Sequence, residues 1–460
     1  MQIYIKFSNY TKTNVFLWER GVPCFWGCVR RKKKDTKNYH ITKRMMKKTY
    51  EQLRQDFPVF EYQGFDFSTT DTEVRMQFHF ATGMYEFHPK MKLSLGKYAI
   101  VPLREEEIRG IVFQIGLIEL ISYWKCTCSP MVLVKPYQLD ESMQKWWKKL
   151  YFNGLGEFFY QNKIHASEDD FMTFSFLQDS PSAAELKYPY VEDSKRVVVP
   201  IGGGKDSVVT LEALRKERQV IPFIINPRGA TVDCARIAGF PAEEDRVVLQ
   251  REIDTQLLEL NKQGFLNGHT PFSAMLSFYS LLVSYGTTTR DVALSNESSA
   301  NEPTIPGTKI NHQYSKSLEY EEDFCWYVRT FLNDCNHYYS FLRPYTELQI
   351  AEMFARHPQY FPVFKSCNAG SKENRWCCNC SKCLFAYIIL SPFIDNDTMV
   401  GIFGEDLLDK PELMQYFDEL CGIAPNKPFE CVGTIDEVNK ALRMIRESRR
   451  GKLLMRHYEE

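Results

Sequence analysis

The chain has 460 residues, of which 44% are hydrophobic and 25% charged, and its formal net charge is −1. These values are typical of a soluble globular protein of two to four domains, and they argue against nucleic-acid binding through a basic surface. The most apolar run, residues 111–124, is short and contains Gln114 and Glu119, so it does not predict a membrane span. The first residues lack a secretory signal pattern, so we expect the fourteen cysteines to be cytosolic thiols or metal ligands.

The first segment, residues 1–48, differs in composition from the rest of the chain. Its second half, residues 29–48, is strongly basic and has no apolar period. This composition favours a flexible extension, and a tail that binds an anionic surface or nucleic acid is the alternative.

Residues 49–190 predict an α+β domain. Apolar and polar residues alternate in 74–80 and 84–93 across a short Ala-Thr-Gly link, which predicts an antiparallel hairpin. Residues 104–125 and 139–162 show helical spacing, and glycines interrupt the second stretch. The many aromatic side chains of this region are suited to substrate recognition or to core packing.

Residues 191–395 predict an α/β domain with a parallel, helix-covered sheet. Four short apolar runs predict strands, at 196–201, 220–226, 245–252 and 291–297. Helical patterns such as 208–218 and 271–286 lie between them. Strands that alternate with helices form parallel sheets. The last segment, 396–460, predicts helices alone.

A glycine-rich turn follows the first of these strands, in the sequence VVVPIGGGKDS (197–207). The P-loop motif fails, because Asp206 stands where serine or threonine is required and Val199 where the first glycine belongs. The dinucleotide motif GxGxxG fails at Ser207. The turn is nevertheless suited to an anion, because glycines allow close backbone approach and the next helix presents its positive end.

The turn resembles the SGGxDS loop of the PP-loop ATP pyrophosphatases, with Gly202 in place of the leading serine. The resemblance implies a HUP-like nucleotide domain that binds ATP and cleaves it between the α and β phosphates. The phosphate site then comprises Gly202, Gly203, Gly204, Lys205, Asp206 and Ser207. Asp206 is a candidate Mg²⁺ ligand, Asn226 would read adenine through its backbone, and Arg343 would meet a phosphate or form a surface ion pair.

Four cysteines are spaced C-x9-C-x2-C-x2-C, at Cys367, Cys377, Cys380 and Cys383. Thiolates at two-residue gaps can converge on one tetrahedral ion, so we expect a structural Zn²⁺ site. An iron–sulfur cluster or unligated thiols are the alternatives. Cys378 is a fifth cysteine that could replace Cys377.

Several further blocks make the chain resemble the MurL family of UDP-N-acetyl-α-D-muramoyl-L-alanyl-L-glutamate epimerases. They are LNGHTPFSAMLSFYSLL (266–282), VALSNESSANEP (292–303), NHQYSKSLEYEEDF (311–324) and PFECVG (428–433). The resemblance covers most of residues 60–433. The enzymes that make 7-cyano-7-deazaguanine, which share the cysteine pattern but are about half as long, are the runner-up.

The resemblance implies that ATP adenylates the glutamate carboxylate of a UDP-muramoyl dipeptide in a bacterial cytoplasm, so that the L-Glu becomes D-Glu. Neither a membrane nor a nucleic-acid partner is expected. Polar groups near the strand ends supply the candidate catalytic residues His269, Glu297, His312 and Lys316. Ser295, Asn296 and Arg228 are further candidates, and Glu297 could instead bind Mg²⁺.

Overall fold

One mixed sheet runs through the part of the chain that the structure describes. The structure, a computed structural model, describes residues 48–188, 195–305, 307–333 and 336–459. Nearly all of the predicted basic extension therefore lies outside the described residues. Within the described ranges, no helix is both long and apolar enough to cross a membrane.

The sheet has eleven strands in the described residues. They are β1 (Val59–Thr69), β2 (Glu73–Thr82), β3 (Tyr85–Phe87), β4 (Lys90–Ser94), β5 (Met131–Val134), β6 (Thr173–Phe176), β7 (Arg196–Pro200), β8 (Gln219–Ile225), β9 (Val247–Glu252), β10 (Asp291–Leu294) and β11 (His337–Ser340). Their order is β11-β10-β7-β8-β9-β4-β2-β1-β5-β6, and β3 pairs with β2. The five strands from β11 to β9 are parallel, and four of them, β7 to β10, are the strands that the sequence predicted for a parallel sheet. β4, β2 and β1 then pair antiparallel, and β5 and β6 add in parallel.

Fifteen helices of the described residues surround this sheet. They are α1 (Tyr50–Asp56), α2 (Glu105–Trp124), α3 (Glu141–Gly154), α4 (Gly156–Asn162), α5 (Lys205–Leu214), α6 (Gly229–Ile237), α7 (Thr255–Lys262), α8 (Phe272–Gly286), α9 (Leu318–Phe331), α10 (Glu347–Ala355), α11 (Ser381–Leu390), α12 (Asn396–Phe403), α13 (Met414–Cys421), α14 (Ile435–Ile445) and α15 (Leu453–Glu459). The α/β class is therefore confirmed, and so is the helical character of 396–460.

Alternate residues of the parallel strands pack into two separate hydrophobic cores, one on each face of the sheet. Val198 of β7 belongs to the core that contains α2 and α8. Its neighbours Val197 and Val199 belong to the core that contains α5, α10 and α11. Side chains of a strand point alternately to opposite faces, so a strand covered on both faces is apolar throughout. This explains why VVV precedes the glycine turn.

Most predicted elements are confirmed, with shifted ends. The hairpin forms, but its second strand is divided into β3 and β4 around Pro89, which has no N–H to donate. The stretch 139–162 forms two helices that meet at Leu155. The strand predicted over 291–297 ends at Leu294, because the next residues turn into the cavity described below. The boundary predicted near residue 190 stays a prediction, and strands from both sides of it share the sheet.

Candidate active site

The carboxyl ends of β7, β8 and β10 meet at a cavity of about 270 Å³, called here the first cavity. Residues 200–202 line it after β7, Ile225 ends β8 there, and residues 294–296 line it at the end of β10. Ligands of open α/β sheets bind at this edge. The first cavity thus lies where the sequence predicted the site.

The glycine turn forms one wall of the first cavity. Gly204 is the N-cap of α5 and no side chain caps the helix, so the first N–H groups of α5 are open to a ligand. Gly203 has φ +80°, and a Cβ atom there would lie 2.9 Å from the backbone of residues 230 and 231. At Gly202, no described atom lies within 4 Å of a Cβ position. Gly203 is therefore required sterically, a Cβ atom at Gly204 would lie a tight 3.3 Å from that of Ser366, and position 202 has room for a Cβ atom.

The two charged residues of the turn face different surroundings. Lys205 is buried, forms ion pairs with Asp206 and Glu347, and does not line the cavity. Burial would lower the pKa of Lys205, but the two carboxylates outweigh burial and raise this pKa above its usual value. Burial likewise opposes the charge of Asp206, yet Lys205 holds the Asp206 pKa below its usual value. Asp206 and Ser207 line the first cavity, so an ionised carboxylate and a hydroxyl face its interior.

Three polar residues follow β10, and two of them line the first cavity. Ser295 and Asn296 do so, and the Ser295 hydroxyl has no hydrogen-bond partner among the described residues. The Glu297 carboxylate is buried outside the cavity wall, where it accepts a hydrogen bond of 3.0 Å from the Ser299 hydroxyl. The end of β10 therefore presents neutral donors and acceptors to a ligand.

Arg343 lies behind the cavity wall. Its guanidinium donates hydrogen bonds to the backbone carbonyls of Glu297 (2.9 Å) and Lys316 (2.6 Å). It also forms an ion pair of 3.1 Å with Glu321, so it is not the surface pair that the sequence offered as an alternative. These contacts make Arg343 a positioning residue for two candidate catalytic residues. Phosphate binding by Arg343 stays a prediction.

The two candidate histidines lie together, with ring centroids 4.7 Å apart. The buried carboxylate of Glu157 bonds to Nδ1 of His312 and lies 3.4 Å from Nδ1 of His269. Burial lowers the pKa of His269 well below its usual value, and the adjacent His312 lowers it further. Burial also opposes the charge of His312, but Cys431 and Glu157 raise the His312 pKa to about 9. Near neutral pH the pair therefore combines a neutral and a cationic imidazole.

The histidine pair lies between two adjacent cavities. His312 lines the first cavity, whereas His269 lines a second cavity of about 280 Å³. Ile225, Arg228 and Phe272 line both cavities and so form the partition between them.

The predicted adenine-binding residue Asn226 lines the second cavity. It has φ 48°, and its side chain bonds to the backbone N–H (2.7 Å) and carbonyl (3.2 Å) of Arg251. The Arg251 guanidinium pairs with the buried Glu119. Lys125 donates hydrogen bonds to the carbonyls of Gly268 (2.6 Å) and His269 (3.1 Å). The polar groups of the second cavity thus hold one another in place.

The four predicted cysteines converge, and their ligand atoms lie within 4.8 Å of one another. Measured separations between sulfur atoms are 3.5, 3.7 and 4.0 Å. Zinc–sulfur bonds of 2.3 Å place the sulfurs of a tetrahedral site about 3.8 Å apart. The cluster therefore fits one metal ion. Cys378 is not a member, because its thiol donates to the carbonyl of Phe403 instead (3.1 Å).

Sequence reasoning missed four charged or reactive residues near the histidines and the turn. Lys365, Lys382 and Cys431 line the first cavity, and Glu157 bridges the histidine pair. The signals were weak, since Lys365 precedes the cysteine motif, Lys382 lies within it and Cys431 stands alone in PFECVG. With Arg228, Lys316 and the cationic His312, the two lysines give this cavity five cationic side chains, against one described carboxylate, Asp206.

The fold and the site define an α/β protein with a cavity rich in cationic side chains at its strand ends and a cysteine cluster suited to a metal ion. Residues 51–341 match the family profile of the MurL N-terminal domain, and residues 363–458 match that of the MurL C-terminal domain. The chain belongs to the MurL family.

Curated relatives carry one name, UDP-N-acetyl-alpha-D-muramoyl-L-alanyl-L-glutamate epimerase. The chain is 34% identical to the Salinispora tropica protein over 409 residues, which is 86% of each chain. It is 35% identical to the Micromonospora sp. protein over 71% of this chain and 72% of the relative. It is also 35% identical to the Xanthomonas oryzae pv. oryzae protein, over 72% of this chain and 73% of the relative. These names favour an epimerase over the deazaguanine-forming alternative.

Proposed function

We propose that this chain is an ATP-dependent epimerase. It would convert the terminal L-Glu of UDP-N-acetylmuramoyl-L-Ala-L-Glu into D-Glu, for peptidoglycan synthesis in a bacterial cytoplasm. The curated relatives are epimerases, so the chain is an enzyme of the isomerase class. The main support for ATP dependence is the glycine turn, where the first N–H groups of α5 have no side-chain cap among the described residues. This turn faces a cavity with an excess of cationic side chains.

ATP would bind with its phosphates at this turn, as in the PP-loop superfamily that the turn resembles. The uncapped start of α5 supplies N–H donors and the positive end of a helix dipole. Ser207 adds a hydroxyl, while Lys316, Lys365 and Lys382 offset the phosphate charge. Release of pyrophosphate then leaves AMP on the acceptor.

Adenylation explains why an epimerase would consume ATP. Removing the Cα proton beside an ionised carboxylate places a second negative charge next to the first. A mixed anhydride with AMP removes the first charge and lets the new electron pair move onto the acyl carbonyl oxygen. A base can then take the proton on one face, and a proton can return on the other. Water finally cleaves the anhydride and restores the carboxylate.

The histidine pair and Lys316 support this chemistry. The cationic His312 is suited to stabilise negative charge, and the neutral His269 beside it to exchange protons. Lys316 lines the same cavity and could neutralise the adenylate phosphate or the enolate. Glu297 lies behind the wall of the first cavity, and Arg343 holds it there by a hydrogen bond to its backbone carbonyl. From this position Glu297 would influence the site indirectly.

Two metal ions would have separate roles. Asp206 is the described carboxylate of the first cavity and would hold Mg²⁺, which offsets phosphate charge when bound. The four cysteines would hold Zn²⁺, which stabilises the fold around residues 366–383.

The test is an incubation of the protein with the UDP-muramoyl dipeptide, ATP and Mg²⁺ in deuterated water. We expect deuterium at the glutamate Cα, D-Glu after acid hydrolysis, and AMP with pyrophosphate. Absence of both deuterium and D-Glu would refute the epimerase.

Two ATP analogues give a matched control for the bond that is cleaved. β,γ-Methylene ATP should support the reaction, whereas α,β-methylene ATP should not, because its α–β link cannot be broken by this route. Equal activity without any nucleotide would refute adenylation while leaving the epimerase intact.

A further inference from the structure

The sulfur of Cys431 lies at the wall of the first cavity, on a loop from the C-terminal part of the chain. The loop is fixed on two sides. The Lys382 ammonium donates to the Cys431 carbonyl, and the Asn368 amide donates to the Glu430 carboxylate (2.8 Å). On the other side, the ring of Phe429 packs 5.4 Å from that of Tyr160 in α4. The sequence thus folds so that Cys431 is held in position beside the cavity.

Two cationic groups surround this sulfur. The Lys316 ammonium lies 3.2 Å from Cys431 Sγ. The side chain of His312 is completely buried, and its charge also favours the thiolate of Cys431. Nδ1 of the His312 ring bonds to Glu157, whereas Nε2 has no hydrogen-bond partner among the described residues. A buried ring nitrogen without a partner is costly unless an anion or a ligand lies beside it.

The surroundings of Cys431 favour its thiolate. Burial alone would raise the pKa of this thiol, but Lys316, His312 and Lys382 outweigh burial and hold it well below its usual value. The opposite holds for Cys126, Cys128, Cys234 and Cys421, whose pKa values burial raises. Cys431 is also partly exposed, and it lines the first cavity. It therefore combines ionisation with access, the two properties of a reactive cysteine.

We propose that the Cys431 thiolate is the base that exchanges the Cα proton of the adenylated glutamate on one face. In this step the Cα–H bond breaks and an S–H bond forms, while the electron pair moves onto the acyl carbonyl oxygen. A proton that derives from water then bonds to Cα on the opposite face. The thiol afterwards loses its proton to solvent, which restores the thiolate. Lys316 and His312 are positioning residues for the sulfur and offset the charge of the enolate. The inference rests on the proposed function.

The closing experiment compares Cys431→Ser with the wild-type enzyme in deuterated water. A serine hydroxyl is far too weak an acid to be ionised, so deuterium incorporation at Cα should fall by about 100-fold or more. Pyrophosphate release should fall much less, because the glycine turn is unchanged. Cys325→Ser is the matched control, a partly exposed thiol whose pKa burial raises, and it should keep wild-type exchange.

Alkylation gives a readout that does not require turnover. Iodoacetamide at pH 6.5 should label Cys431 faster than Cys325 in the wild-type protein, ATP with dipeptide should protect it, and Lys316→Met should slow its labelling. Exchange by Cys431→Ser at the wild-type rate, or labelling no faster than that of Cys325, would overturn the assignment. Wild-type protein without any D-Glu would instead refute the proposed function, so the two failures are distinguishable.

Discussion

The two cavities share a partition but differ in how their charges are compensated. In the first cavity, the Lys365 ammonium donates to the Pro362 carbonyl, a neutral group that leaves its positive charge in place. Arg228, in the partition between the cavities, likewise donates to the neutral Ser371 hydroxyl. In the second cavity, the buried Glu119 neutralises Arg251. Burial lowers the pKa of Lys125 to about 7, and the charge of Arg251 lowers it further. The first cavity therefore keeps a positive charge at Lys365, whereas the cations that line the second cavity alone are neutralised or have their charge disfavoured.

The largest effect should come from Asp206→Asn, which removes the carboxylate of the first cavity. We expect pyrophosphate release to fall by roughly 100-fold or more, since phosphate and metal positioning are both disturbed. Circular dichroism should show a retained fold. Asp397→Asn, at an exposed position at the start of α12, is the control and should behave as wild type. Normal pyrophosphate release by Asp206→Asn would assign ATP to another site.

Next in size is Cys380→Ser, which tests whether the metal organises the first cavity. Cys367 belongs both to the cluster and to the cavity wall. Loss of one ligand should abolish stoichiometric zinc in metal analysis and lower the stability by several kcal/mol, measured by thermal unfolding. Cys378→Ser should retain the metal, because that sulfur lies outside the cluster. Equal metal content in both variants would contradict the assignment.

Glu157→Gln removes the carboxylate that contacts both His312 of the first cavity and His269 of the second. Cys431 and Glu157 raise the pKa of His312 to about 9, so their interactions with the charged imidazole stabilise the fold fully below about pH 6.5, and this contribution is lost as pH rises through 9. The loss should amount to at most about 3 kcal/mol in urea unfolding, and Glu157→Gln should reduce it. Asp418→Asn, which removes a histidine partner near the surface, should leave it unchanged. An identical pH dependence in Glu157→Gln would exclude the pair as its source.

The smallest effect should come from Lys125→Met in the second cavity. This lysine holds the turn that carries His269, so we expect the epimerisation rate to fall by a few-fold, roughly the effect of small displacements near a reacting group. Lys145→Met, at an exposed position of α3, is the control. A loss as large as that of Asp206→Asn would show that the reaction depends on the second cavity as strongly as on the first and would erase the difference between the cavities.

The sequence predicted those parts of the site that neighbouring residues determine. β7, the glycine turn and the start of α5 are contiguous, and four cysteines lie within 17 residues of one another. Burial on both faces made the parallel strands apolar and therefore recognisable. β1, β5, β6 and β11 escaped prediction. The last three have only four residues each, and a register irregularity between Tyr62 and Gly64 interrupts the alternation of β1.

Contacts between distant residues could not be predicted in this way. Glu157 and His312 are 155 positions apart, and Lys316 and Cys431 are 115 apart. Their meeting depends on the strand order of the sheet and on the path of the loop at 428–433. Motifs therefore located the candidate site, whereas its ionisation states follow only from the packed structure.

The junction of β4 with β9 has a consequence for how the chain can be divided. Five residue pairs, from Lys90 opposite Glu252 to Ser94 opposite Val248, join the antiparallel strands to the parallel ones. A fragment that began near residue 195 would leave β9 with unpaired N–H and C=O groups along a sheet edge. Such an edge recruits strands from other molecules, so the fragment should aggregate, and adding residues 48–188 as a separate polypeptide should restore its solubility.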